Sequence, residues 1–78
     1  MEKLNRLKVI ETIKNNKYFE CVFVKKDNTV REMKCVYEND NSNSNYVTVY
    51  DIENQGYRQV NLLTLMSLTI KDTFYKIC

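Results

Sequence analysis

Residues 18–37, YFECVFVKKDNTVREMKCVY, decide the fold, because two alternating segments flank a short polar break. Over residues 18–24 the larger apolar side chains recur at every second position, which is the period of a β-strand. The polar residues 26–28 then predict a three-residue hairpin loop in which Asn28 adopts a positive φ. We therefore expect a tight hairpin whose second strand covers residues 30–37.

This loop sets the register of the predicted hairpin. Similar side chains face one another on one surface, and an acid faces a base on the other, as cross-strand pairs prefer. The predicted pairs are Val24 with Val30, Cys21 with Met33, Phe19 with Cys35, and Glu20 with Lys34. Cys21 and Cys35 are then diagonal neighbours, so no disulfide is expected between them.

The N-terminal segment has a different period. Leu4, Leu7, Ile10 and Ile13 recur every three residues with charges between them, so residues 3–15 are expected to form an amphipathic helix. Asn15 and Asn16 are expected to end it, since Asn tolerates the conformation of helix C-caps.

After the hairpin, the sequence predicts three more strands. The polar residues 38–45 predict an exposed, mobile loop. Alternation resumes over residues 46–52, with Val47 and Val49 inward, and again over 57–62. Residues 53–56 form the turn between these two strands, and residues 61–64 fit a single helical turn.

The fifth predicted strand has Met66, Leu68 and Ile70 on one face, and the tail 71–78 is ambiguous. Five short antiparallel strands in 78 residues predict one domain, residues 1–78, in which residues 18–70 bend into a small mostly β barrel behind the N-terminal helix.

Composition argues against catalysis and metal binding. The chain has no His and one Gly, so it lacks the usual proton shuttle at neutral pH and a Gly-rich phosphate loop. Three cysteines at 21, 35 and 78 match neither a disulfide framework nor a zinc knuckle. We expect a protein that is not an enzyme and needs no cofactor or metal.

Partners and location are suggested by charge and hydropathy. Nine Lys/Arg against five Asp/Glu lie in residues 1–34, and three against five in residues 35–78. No apolar run approaches the roughly 18 residues of a membrane span, and the start of the chain lacks the apolar centre of a signal peptide. A cytoplasmic protein without membrane partners is expected, and the absence of Pro from strand edges favours self-association.

Two segments resemble a known family. Residues 23–35, FVKKDNTVREMKC, are similar to the F-x-K-K-D-G-T-x-R-x-M-x-C segment of a small phage and viral family of Sm-like, SH3-type β-barrels related to the WYL domain. Residues 49–51 and 56–62 resemble its V-x-D…G-W-R-x-x-x-L ending, with Asn28 and Tyr57 replacing the usual Gly and Trp. The resemblance covers about residues 19–70 and implies a five-stranded SH3/Sm-like barrel in a viral accessory protein of the host cytoplasm, with the ligand left open.

The candidate contact residues are basic and aromatic. A cationic cluster around the hairpin could meet phosphates while neighbouring tyrosines stack on bases, as in single-strand binders. The candidates are Lys25, Lys26, Arg31, Lys34, Tyr50, Tyr57 and Arg58. The alternative is that charges gather at hairpin tips for solubility and edge protection.

Two of these candidates also have structural interpretations. Arg58 lies on the same face of its strand as Val60 and Leu62, which are expected to be buried. It therefore needs either a ligand or an acidic partner such as Asp51. Tyr46 and Tyr50 share one face and form either an exposed aromatic strip or a surface that covers the N-terminal helix.

Three functions remain open. The first is a binding module for RNA, DNA or a phosphorylated ligand. The second is a protein-interaction or self-assembling module that modulates a host or viral complex. The third is sequestration of a nucleotide signal as a viral counter-defence, which requires a pocket that the sequence does not show.

Overall fold

A computed structural model of the chain describes residues 2–40 and 44–78. Helix α1 covers Val9–Asn16, and two single 3-10 turns cover Arg6–Lys8 and Leu62–Thr64. The strands in chain order are β1 (Glu2–Leu4), β2 (Tyr18–Val24), β3 (Val30–Asp40), β4 (Tyr46–Asp51), β5 (Gly56–Asn61), β6 (Leu65–Ile70) and β7 (Thr73–Ile77). The protein is therefore mostly β with one short N-terminal helix, as predicted.

All of these strands belong to one open sheet with the order β1-β7-β6-β2-β3-β4-β5. Every neighbouring pair is antiparallel except β1 and β7, which are parallel. The sheet curls: β2 and β5 are not neighbours in the strand order, yet the Thr64 hydroxyl after β5 donates a 2.7 Å hydrogen bond to the Val24 carbonyl at the end of β2. This curl brings the edge strand β5 towards the loop end of the β2–β3 hairpin.

The β2–β3 hairpin has the predicted register. Asn28 has a φ of 69°, as the turn prediction required. The Asp27 carboxylate accepts hydrogen bonds from the Thr29 backbone N–H at 3.1 Å and from the Thr29 hydroxyl at 2.6 Å, and these bonds hold the loop. The confirmed pairs are Val24 with Val30, Cys21 with Met33, Phe19 with Cys35, and Glu20 with Lys34.

The N-terminal helix is shorter than predicted. Residues 3–15 do not form one helix, since β1 pairs with β7 and the Asn5 side chain caps a 3-10 turn by accepting from the Leu7 N–H. Leu7 is consequently 89% exposed, although its spacing placed it on the apolar face. Val9 and Ile13 are the buried residues by which α1 packs on the sheet.

The predicted number of strands was too low. The structure has β1 and β7 in addition to the five predicted strands. The chain reverses at Lys71 and Asp72 and returns beside β6 as β7, and β1 pairs with β7. Both residues have positive φ, 50° and 65°, which is the backbone of a tight hairpin turn. Asn and Gly are the usual residues there, so a Lys-Asp pair gave no turn signal.

The core lies on the inner face of the curled sheet, beneath α1. Val47 and Val49 are fully buried, as predicted, whereas Met66 is 50% exposed although it was predicted to share a face with Leu68 and Ile70, which are buried. Ser67 and Leu68 are both buried, so strict alternation breaks within β6. Other side chains that are almost completely buried include Phe19, Cys21, Phe23, Met33, Cys35, Val60, Leu65 and Ile70.

The polar segment 38–45 is only partly a loop. Strand β3 extends to Asp40 by pairing with β4 past an irregularity between Tyr37 and Asn39. The prediction of mobility for residues 41–43 lies outside the described residues. The turn predicted at 53–56 lies at 52–55, since Gly56 begins β5, and the helical turn within 61–64 is present as the 3-10 turn after β5.

Across residues 2–40 and 44–78, helices are too short and too polar to cross a membrane.

Candidate anion-binding pocket

A pocket of about 570 Å³ lies between the loop end of the β2–β3 hairpin and the edge strand β5. Its floor is apolar, formed by the buried side chains of Phe23 and Met33. The remaining lining residues are Val24, Lys25, Lys26, Asn28, Arg31, Tyr46, Arg58, Gln59, Asn61 and Thr64.

The charge of this pocket is one-sided. Lys25, Lys26, Arg31 and Arg58 line it, and among the described lining residues none is acidic. The hairpin supplies the first three, and β5 supplies Arg58 from the opposite wall. Cations that converge on a concave surface focus a positive potential there, which favours anions.

Asp51 lies behind the two arginines. It lies on the same inward face of β4 as Val47 and Val49, and it is only 1% exposed. Its Oδ2 atom is 3.2 Å from Arg31 Nη2 and 3.9 Å from Arg58 Nε. The Arg58–Asp51 contact agrees with the predicted structural partner. One buried carboxylate therefore holds both guanidinium groups at the pocket.

The turn after β4 stabilises Asp51 as an anion. The side-chain amide of Asn54 donates to Asp51 Oδ2 at 2.8 Å, and the Asn54 backbone N–H donates to Oδ1 at 3.2 Å. The Asn54 amide lowers the pKa of Asp51; burial opposes this effect, and the backbone N–H and the Arg31 guanidinium add to it. The carboxylate is thus ionised at neutral pH.

The wall beside β5 carries an aromatic ring and two amides. Tyr46 pairs directly with Asn61 across β4 and β5, and Thr48 pairs with Gln59, so Tyr46, Asn61 and Gln59 are neighbours. The Lys26 ammonium lies 5.9 Å from the centroid of the Tyr46 ring, within cation–π range. This wall offers stacking and hydrogen bonding as well as charge.

Only some of the predicted contact residues meet at this pocket. Lys25, Lys26, Arg31 and Arg58 do so. Lys34 lies opposite Glu20 and lines a separate, smaller cavity of about 370 Å³ that is also lined by Glu32 and Glu53.

Tyr50 and Tyr57 are also away from the pocket lining. They form a cross-strand pair with ring centroids 5.3 Å apart and an interplanar angle of 76°. Edge-to-face geometry of this kind stabilises the β4–β5 pair. Tyr57 remains 63% exposed.

Sequence reasoning missed the lining residues Gln59 and Asn61 and also the Arg31–Asp51 ion pair, and it placed Tyr46 only in an aromatic strip with Tyr50. The ion pair had a signal, because the predicted register placed Arg31 opposite Phe23, on the buried face. No local sequence signal indicated that β5 lies close to the hairpin, because this proximity depends on the curl of the whole sheet.

Comparison with known proteins assigns the chain to a family. Residues 2–76 match the family model described as the LysM11 alpha/beta domain. The match spans almost the whole chain, so the chain belongs to this family. No curated protein and no solved structure gives a significant match. The function therefore has to be argued from the pocket itself.

Proposed function

We propose that this protein is a non-enzymatic binding module that holds a phosphate-bearing ligand, either nucleic acid or a smaller phosphorylated molecule, in the basic pocket. The observation that carries the proposal is the convergence of Lys25, Lys26, Arg31 and Arg58 on one concavity whose described lining contains no acid.

The two arginines supply orientation. A guanidinium presents several N–H donors in a fixed plane and can bind phosphate oxygens in a bidentate manner. The Arg31 guanidinium donates a hydrogen bond to Asp51 from one of its edges, and this bond restricts the rotation of the guanidinium. A pre-ordered donor loses less conformational entropy when a ligand binds.

The two lysines supply charge from the hairpin loop. Lys25 Nζ is 3.9 Å from Asp27 Oδ2, and both side chains are largely exposed. An exposed ion pair of this length contributes little to stability, so it competes weakly with a phosphate. Lys25 and Lys26 can therefore turn towards a ligand once the arginines have placed it.

An accessory or regulatory role of the phage or viral type follows only from the sequence resemblance to Sm-like, SH3-type barrels, and it stays a prediction.

The test is a titration of labelled single-stranded RNA and DNA with the purified protein at low and moderate salt. Each phosphate contact adds about −0.7 to the slope of log affinity against log salt, so binding through this pocket must weaken as salt rises. The double variant Lys25→Glu/Lys26→Glu is expected to abolish binding.

The matched control is Lys8→Glu/Lys76→Glu. It changes the net charge by the same amount at two exposed lysines outside the pocket and is expected to retain most of the binding. Equal loss in both variants would show that only overall charge matters. Absence of binding at low salt to strands, and also to inorganic pyrophosphate, would refute the proposal.

A second candidate function is a protein-interaction or self-assembling module. It is favoured by β5, which lies at one end of the sheet order, and by the exposed ring of Tyr57 on that strand. An edge strand presents backbone groups that can pair with another chain. Sedimentation of the wild type and of Tyr57→Lys tests it: a dimer that the substitution dissociates supports this function, and a monomer at high concentration contradicts self-assembly.

A further inference from the structure

Two chemically different groups of side chains line the basic pocket. Lys25 and Arg31 from the hairpin and Arg58 from β5 supply positive charge, while Tyr46, Asn61 and Gln59 supply an aromatic ring and two amides. A phosphate group uses only the cations. We infer that the pocket binds one nucleotide unit through its terminal phosphate, with the base against Tyr46; this inference rests on the proposed function.

The size of the pocket favours one unit over a strand. A volume of about 570 Å³ lies within the roughly 300–1,000 Å³ of small-molecule sites. The apolar floor of Phe23 and Met33 closes it from below, and both side chains are almost completely buried. Proteins that hold a continuous strand use a groove that follows the backbone over several nucleotides. A pocket of this size instead suits one nucleotide unit with a terminal phosphate.

Tyr46 provides the surface for the base. The Lys26 ammonium lies 5.9 Å from the ring centroid, and an exposed cation–π contact of this kind is weak. A charge-assisted hydrogen bond from lysine to phosphate is stronger than this contact. When a phosphate enters, Lys26 can therefore exchange the ring for the phosphate, and the ring becomes accessible to a base.

The two amides lie where they can meet the edge of that base. Asn61 pairs with Tyr46 across the strands, and Gln59 is two residues earlier on the same face of β5. A side-chain amide carries both a donor and an acceptor, which is the requirement for reading the hydrogen-bonding edge of a nucleobase. The Asn61 oxygen caps the 3-10 turn by accepting from the Leu63 N–H at 3.0 Å, which helps to orient its amide.

The required chemistry is a nucleoside that carries a terminal phosphate, and two sources can provide it. One is a free nucleotide, and the other is the phosphorylated end of a single strand. Calorimetric titration with inorganic pyrophosphate, the four ribonucleoside 5′-diphosphates, and RNA decamers with and without a 5′-phosphate separates them.

We expect at least one diphosphate nucleotide to bind more tightly than pyrophosphate, by roughly 5- to 150-fold, which corresponds to stacking of one base. Tyr46→Leu should remove this difference and leave pyrophosphate affinity unchanged. Tyr50→Leu is the matched control, since Tyr50 lies on the same strand outside the pocket lining, and it should retain the difference. Thermal unfolding of both variants verifies that they fold.

The outcomes separate the two proposals. If no nucleotide binds more tightly than pyrophosphate, the nucleotide inference is wrong and phosphate binding stands. If neither class of ligand binds, the proposed function itself is wrong. Tight binding of decamers that depends on the 5′-phosphate identifies a strand end as the source, and preference for free nucleotides identifies the small molecule.

Discussion

Arg31 Nη2 lies 3.2 Å from Asp51 Oδ2, and this contact connects the pocket to the core. Arg31 is partly exposed and can reach a ligand, whereas Asp51 is almost completely buried. A buried carboxylate needs partners that compensate for lost hydration. The same interaction therefore stabilises the fold and orients a pocket residue.

Asp51→Asn should destabilise the protein. The substitution removes the anionic partner of Arg31 and the charged acceptor of the Asn54 hydrogen bond. Loss of a buried charged hydrogen-bond partner costs about 1–3 kcal/mol. Urea unfolding at pH 7 measures the change in the free energy of unfolding. Glu53→Gln removes an exposed carboxylate from the same turn and should change it by less than about 0.5 kcal/mol. Equal effects would contradict the role of Asp51.

The lowered pKa of Asp51 predicts a loss of stability in acid. Because the pKa in the folded state lies below that in the unfolded state, the unfolded chain binds more protons as the pH falls. The stabilisation is complete above the ordinary Asp value of about 3.9 and is lost as the pH falls through the lower pKa of the folded state. Unfolding curves from pH 6 downwards should therefore be steeper in pH for the wild type than for Asp51→Asn.

Asp27 requires its own control in that experiment. The Thr29 hydroxyl bonded to it also lowers its pKa, although Asp27 is exposed at the hairpin tip. Asp27→Asn should consequently remove only part of the acid dependence, and Asp51→Asn should remove a different part. If Asp27→Asn alone removed the whole dependence, the prediction for Asp51 would fail.

Tyr37 should ionise at a higher pH than an ordinary tyrosine. Its hydroxyl donates to the Asp40 carboxylate, and this bond, aided by burial, raises the pKa of Tyr37 to about 12. Since the folded state keeps the proton, the stabilisation is present below the ordinary Tyr value of about 10 and is lost as the pH rises to about 12. Ultraviolet titration of Tyr37→Phe should lack the transition near pH 12 that the wild type shows. An unchanged curve would contradict the Tyr37–Asp40 bond.

The three cysteines should react at different rates. Cys21 and Cys35 are buried free thiols, and Cys78 is exposed. The hydrogen bond with Cys21, together with burial, raises the pKa of Cys35, which further suppresses its reactive thiolate. A thiol reagent should label one cysteine rapidly in the native protein and all three in denaturant. Cys78→Ser should abolish the rapid phase, and rapid labelling of two thiols in native protein would contradict the burial of the hairpin pair.

The hairpin could be predicted from sequence because its determinants are local. Alternation defined the faces of β2 and β3, and the break at residues 26–28 defined the register through one positive-φ residue, Asn28. The cations of this hairpin were predicted as a cluster for the same reason. Local patterns in one segment contained all the required information.

The terminal strands could not be predicted in this way. β1 has three residues and forms by pairing with β7, which is distant in sequence. The Leu4–Leu7 spacing fitted a helix, and no local pattern indicated the alternative partner.

The composition of the pocket depended on the same long-range geometry. Arg58 lies near the hairpin cations because the sheet curls, whereas the rings of Tyr50 and Tyr57 pack against each other. Alternation predicts the face on which a side chain lies. It does not predict which distant strand lies next to that face.

The parallel pairing of β1 with β7 has a mechanical consequence. Glu2 lies beside Tyr75 and Leu4 beside Ile77, and the Cys78 N–H donates a 2.9 Å hydrogen bond to the Leu4 carbonyl. Traction that pulls Glu2 and Ile77 in opposite directions slides two parallel strands along each other, so the bonds between them resist together in shear and do not open one after another. The domain should therefore resist stretching through its first and last strands better than its small size suggests.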